Sequence, residues 1–170
     1  MAHGALRDAT DYLESFRPHF HCGSAIYSSP EDKYVAYKPA RLYSHETILR
    51  GITGPHESIF ISSEVYNKLG GYDTSYAISA DFKLLRDAIL LGFSQTCSSK
   101  VYSVKLINGS SFSDVDVARE HTRLLSELFP RLNNNELYHT TSSLMSYKKC
   151  TIDEVEHIYS FLKSNNCIPE

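Results

Sequence analysis

Tryptophan is absent from this 170-residue chain, and no apolar run reaches the ~20 residues that a helix needs to cross a bilayer. An excess of positive charge is missing too. Lys and Arg total 17 against 20 Asp and Glu, for a net charge of −3 and an isoelectric point near 6.2. That balance lacks the electrostatic footprint of a nucleic-acid binder. The opening residues, MAHGALRDATDYLESF, are amphipathic and carry acids, which does not fit a secretory signal. Cys22, Cys97, Cys150 and Cys167 form no CxxC pair. An even count makes no disulfide framework in a chain this long without a signal peptide, so they read as free thiols in a reducing cytoplasm. P-loop, GxGxxG and GxSxG motifs are all missing, and no repeat or low-complexity tract stands out.

What remains is the composition of an ordinary globular protein of one-domain size, with twelve tyrosines, a residue common both in strands and in polar sugar pockets. Ala5 to Phe16 has helical periodicity, with Leu6, Ala9, Leu13 and Phe16 on one face, and Pro18 ends it. Cys22 to Tyr27 and Tyr34 to Tyr37 are expected to be strands joined by a turn over residues 28–32. A short helix is expected from Ser44 to Arg50. Strand-like alternation runs from Phe93 to Ile107, broken at Ser98-Ser99, and Asn108-Gly109-Ser110 spells a tight turn. Asp114 to Leu128 reads as a helix with Val117, His121, Leu124, Leu125 and Leu128 inward. Thr151 caps a last helix to about Leu162. The class is α/β, with a helical C-terminal third.

The densest signals lie between Pro55 and Leu91. A His-Glu pair opens a β-type segment, Ser58 to Ser62, and a helix from Glu64 to Leu69 stops at Gly70-Gly71. Paired glycines suit a left-handed helix terminus, where a Cβ is crowded. Ser79 is a good N-cap, which puts Asp81 in the first turn of an apolar helix, facing unpaired N–H groups. Phe82, Leu85, Ala88 and Ile89 form its buried face, and Leu84, Leu90 and Leu91 widen it, so the helix is expected to be central. An acid at the mouth of a buried helix suits a general base, although it also suits simple capping.

In order and spacing, His56-Glu57-Ser58-x-Phe60, Leu69-Gly70-Gly71-Tyr72-Asp73, Ser79-Ala80-Asp81-Phe82 and Leu85-Arg86 resemble the second half of glycosyltransferase family 2. Glu57 stands where that family usually has Gln, and Lys83 where a second acid is common. The resemblance covers about Ala2 to Ser113 and implies the acceptor-side part of a GT-A fold, with residues 114–170 as a helical extension packed on it. It implies that Asp81 deprotonates an acceptor hydroxyl. His56, Glu57, Gly70, Gly71, Tyr72, Asp73 and Arg86 would line the substrate pocket. The reaction would move a sugar from a nucleotide-sugar donor to a glycan or lipid-linked acceptor, as in polysaccharide or cell-envelope synthesis. The expected location is the cytoplasm, including the inner face of the membrane.

The family's nucleotide-binding half and its metal-binding acids precede the matched segment. This chain is therefore expected to be truncated, completed by a partner chain or self-association, or no longer a transferase. The resemblance implies a divalent cation, magnesium or manganese, whose usual DxD ligands are not found here. The alternative function is a non-catalytic glycan-binding or interaction module. Asp114-Val115-Asp116 spells DxD, but lies downstream of Asp81 at a helix start, where acids are favoured as caps. His19 and His21 would share one face of a strand, yet no third ligand follows, so surface histidines are expected. His121, His139 and His157 form no recognisable ligand set.

Overall fold

A computed structural model of the chain describes residues 1, 4–28, 35–44, 54–106, 114–133, 135 and 137. The expected helices at Ser44–Arg50 and Thr151–Leu162, the turn at 28–32 beyond Ser28, the turn at 108–110, His139, His157, Cys150 and Cys167 lie outside that set, apart from Ser44 itself. The chain is mixed α/β and divides into two compact units. The first carries α1 (Ala5–Phe16), β1 (Phe20–Ser28), β2 (Val35–Lys38), β3 (Ile59–Ile61), α2 (Ser63–Leu69), α3 (Ala80–Leu90) and β4 (Gln95–Leu106). The second carries α4 (Asp114–Leu128) and takes in Tyr76–Ser79 from mid-chain. Among the described residues, no helix is long and apolar enough to cross a membrane.

β1 is the hub of a four-stranded sheet. Along one edge it pairs in parallel with β4 from Phe20 to Ser28. The other edge is shared end to end: β3 pairs antiparallel with Phe20–Cys22, and β2 antiparallel with Ala25–Ser28. A strand with both edges occupied suits burial, and His21 to Ala25 are all buried. The expected hairpin partners thus form, and β4 is the strand foreseen around Phe93–Ile107. The serines at 98–99 do not break it. β4 uses 12 residues against 9 in β1, and the surplus is absorbed where the register shifts between Cys22 and Ala25. A bulge adds residues without ending the pairing.

That bulge brings Tyr102 across the backbone of β1. A Cβ built on Gly23 would lie 1.9 Å from Tyr102 Cδ2, so only glycine fits under the ring. Tyr102 is buried with Ala5 and Ala9 of α1, and Phe60 packs against this cluster. His21, also fully buried, hydrogen-bonds Thr96 Oγ1 through Nδ1 at 2.8 Å and the Tyr102 hydroxyl through Nε2 at 3.0 Å. It stacks on Tyr12 at 4.2 Å. His21 is therefore not a surface histidine. The β4 register, invisible in the local spacing, gives each ring nitrogen a partner inside the core.

α1 has the expected bounds, ending at Arg17 in the left-handed conformation (φ 45°) just before Pro18. Its buried face is rotated from the expected one. Ala5 and Ala9 face inward, while Leu6 and Phe16 are 59% and 63% exposed. Small residues face the sheet because the Tyr102 and His21 rings already fill the space beneath α1. In the second unit, α4 also has its expected bounds, with Ala118, Thr122, Leu124 and Leu125 buried and Val117, His121 and Leu128 half-buried. Leu125, Phe129 and Leu137 form a small core, and each Leu buried this way contributes roughly 1.5–3 kcal/mol. Glu120 accepts hydrogen bonds from the backbone N–H groups of Ala77, Ile78 and Ser79 at 2.7–2.9 Å.

Candidate functional site

The candidate site belongs to the first unit and is built at element ends. Pro55 leads into a single tight turn, His56–Ser58, closed by the Ser58 N–H donating to the Pro55 carbonyl at 3.0 Å. Ser58 pins this turn to the sheet. Its hydroxyl donates to the Ser24 carbonyl of β1 at 3.1 Å and shares a hydrogen bond with the Ser103 hydroxyl of β4. His56 and Glu57 are thereby carried on a rigid base. α2 follows β3 directly, its N-terminus capped by the Ser62 hydroxyl accepting from the Val65 N–H. Gly70 and Gly71 adopt φ of 77° and 82°, the left-handed conformation anticipated for the glycine pair. Nothing lies within 4 Å of a Cβ built on either glycine, so backbone conformation and not space demands glycine here.

Asp81 sits in the first turn of α3 as expected, but Ser79 does not cap that helix through its side chain. The Ser79 hydroxyl is buried, meets the Glu120 carboxylate, and bonds no α3 N–H among the described residues. Asp81 Oδ1 accepts from the Phe82 N–H at 2.7 Å, and Oδ2 lies 3.8 Å from His56 Nε2. The other ring nitrogen of His56 is 3.5 Å from Glu57 Oε2. His56 and Asp81 remain accessible, with side chains 46% and 32% exposed. Two residues 25 positions apart in sequence are thus paired at one mouth. Asp73 folds back on its own loop by accepting from the Ser75 N–H, and Lys83 lies 3.9 Å from Asp73 and 2.8 Å from Asp87. Tyr72 is half exposed, with its phenol 3.1 Å from that of Tyr66. Burial and that contact push the Tyr66 hydroxyl up to about 12.

Arg86 is placed differently from the rest. It is buried, with Nε and Nη2 both on Asp87 Oδ1 at 2.8 and 2.7 Å, so it braces α3 from within and lines no open surface. Leu90 and Leu91 are exposed at the far end of α3, beside the left-handed Gly92, and the buried face is Phe82, Leu84, Leu85, Ala88 and Ile89.

Four residues join the site without any signal in the local sequence. Tyr43 is buried, held by its N–H donating to Gln95 Oε1 at 2.7 Å, while its own hydroxyl meets the Gly54 backbone but completes no hydrogen bond of good geometry among the described residues. Tyr27 of β1 lies between two ammonium groups, Lys38 of β2 at 5.7 Å and Lys105 of β4 at 6.0 Å from the ring centre. Both Glu57 oxygens are shielded from solvent, and no donor among the described residues reaches either at hydrogen-bonding geometry. Burial pushes the Glu57 carboxyl up, but Tyr27, its own N–H, His56 and Lys105 outweigh this and hold it below the usual carboxylate range. Burial, and then Glu57, raise the Tyr27 phenol. Burial lowers Lys38, against the pull of Glu57. Only the β1–β2 and β1–β4 registers bring these groups together.

Among the described residues, no three His, Cys, Asp or Glu side chains converge as metal ligands. Asp73 and Asp87 instead share the Lys83 ammonium, which supplies the positive charge a cation would bring. The described residues therefore do not fit a divalent ion. Asp116 of the downstream DxD is in the first turn of α4 and pairs with Arg119 at 3.7 Å. His19 precedes β1, with Nδ1 on the Ser94 hydroxyl at 2.7 Å and Nε2 3.6 Å from Glu64. No family model matches the chain, and neither a curated protein nor a solved structure matches it.

Proposed function

We propose that this chain is a glycosyltransferase of the family 2 type, acting on a hydroxyl of a glycan or lipid-linked acceptor with a nucleotide-sugar donor. The single observation that carries the reading is the pairing of His56 with Asp81 at an open mouth, 3.8 Å apart. Asp81 is accessible and set on a helix, and His56 beside it steadies the carboxylate's orientation. The acceptor oxygen would bond to the sugar's anomeric carbon as its proton passes to Asp81 and the bond to the diphosphate breaks. Such a leaving group requires charge stabilisation, commonly by a cation. The described residues offer no ligand set for one, and the role of Asp81 does not depend on it. Tyr72 and the Gly70–Asp73 loop would wall the acceptor side.

The test is a product assay with UDP- and GDP-sugars, with and without manganese, on the wild-type chain and Asp81→Asn. Transfer by the wild type, reduced at least about 100-fold in the variant at an unchanged melting temperature, supports the reading. A folded chain that binds neither donor nor acceptor sinks it. A second reading, a glycan-binding module without catalysis, is favoured by Lys83, which neutralises Asp73 and Asp87 where the resemblance expects a further acid. Saturable glycan binding without product would select it.

A further inference from the structure

We propose that Cys22 and Cys97 form a redox switch, closing a reversible disulfide between the parallel strands β1 and β4. The two thiols are free and are register partners in the β1–β4 pairing. Residues paired in this way leave a sheet on the same face, and neighbouring strands run about 4.8 Å apart. That spacing falls within the roughly 4.4–6.8 Å range of Cα separations that a disulfide spans. A regular ladder resists the twist that such a bond needs. Here the β4 bulge begins immediately beyond the pair, where the register shifts between Cys22 and Ser24, and supplies local slack.

The two thiols differ in access, which assigns their roles. Cys22 is buried and Cys97 is partly exposed. Burial, and then the proximity of Cys97, push the Cys22 thiol up to about 12, and Cys97, the thiol partly open to solvent, is the one a peroxide can reach. The Cys97 thiolate attacks a hydroperoxide: an S–O bond forms, the O–O bond breaks, and the leaving oxygen takes a proton. The Cys22 sulfur then attacks the Cys97 sulfenic acid, forming the S–S bond as the S–O bond breaks, and the Cys22 proton leaves with the hydroxyl as water. Two electrons pass from the thiols to the peroxide. A bond strained between register partners is readily reduced again by a dithiol. Its effect reaches the mouth through Tyr43. That phenol is raised by burial first and then by Cys22, and also by Asp81 and Glu57, so its electrostatics couple to Cys22 and to both acids.

The experiment treats the full-length reduced chain with hydrogen peroxide and maps its disulfides by mass spectrometry under non-reducing conditions. The expected result is loss of both thiols in one Cys22–Cys97 linked peptide, full recovery with dithiothreitol, and no such link in Cys97→Ser. A full-length chain carrying Cys150→Ser and Cys167→Ser should form the same link at an unchanged rate. The proposal is overturned if Cys97 proceeds to sulfinic acid while Cys22 stays reduced, or if Cys97 links only to Cys150, Cys167 or a second chain.

Discussion

On the side of β1 covered by α1, His21 uses both ring nitrogens in hydrogen bonds, to Thr96 and Tyr102, and nothing polar in that group is left over. At the mouth built by Pro55–Ser58, the Tyr43 hydroxyl and both Glu57 oxygens are shielded from water and, among the described residues, complete no hydrogen bond of good geometry, although His56 lies 3.5 Å from Glu57. The same sheet supports both arrangements. A buried polar group without a hydrogen bond costs about 1–3 kcal/mol, so a satisfied network holds the fold, while orphaned groups mark a place where stability was given up. Orphans that cluster with an accessible carboxylate and imidazole point to a ligand that would complete them. The contrast separates the mouth, where we propose the site, from the structural network behind β1.

The largest effect should come from the structural side. Gly23→Val drives a side chain into the Tyr102 ring, and the ring cannot withdraw without opening the α1 interface. We expect a loss of roughly 3 kcal/mol or more, or no folded protein, read by urea denaturation. The sharpest comparison removes the same oxygen in two places. Tyr102→Phe strands His21 and should lower stability by about 1–3 kcal/mol, whereas Tyr43→Phe deletes a hydroxyl with no well-formed hydrogen bond among the described residues and should cost less. Equal losses in the two variants would erase the distinction drawn between the regions.

A smaller effect should follow pH. Burial holds His21 below the ordinary imidazole value, against the hydrogen bond with Thr96, so the unfolded chain binds its proton first. Stability from this residue is complete above about 6.5 and declines as pH falls from there toward the lower folded value. Replacing His21 with Gln should flatten that part of the stability profile between pH 7 and 5. An unaltered slope would show that His21 is not the titrating group.

Local chemistry alone made several features legible. Pro18, the Gly70-Gly71 pair and the apolar spacing of Asp114–Leu128 gave element ends that the structure reproduces, because caps and breakers act within a few residues. The pairing of His56 with Asp81 was legible only as a resemblance of motifs, since nothing in their spacing required contact. Ser79 shows the limit of local rules. It has a good capping residue type at the right position, yet its buried hydroxyl meets Glu120 and, among the described residues, caps no N–H of α3. Leu6 and Phe16 show it again, since periodicity defined a stripe on α1 but not which side of it would meet the sheet.

By itself, then, the sequence determined the ends of α1, α2 and α4, the absence of a membrane-length apolar run, and the acid placed at the start of α3. Tertiary structure decided the rest. The β1–β4 register, with its bulge, placed Tyr102 over Gly23, buried His21 and aligned Cys22 with Cys97, and together with the β1–β2 register it drew Tyr27, Lys38 and Lys105 around Glu57. Register is a property of two distant strands. A shift of one residue exchanges the faces of every side chain, so no local pattern can specify it.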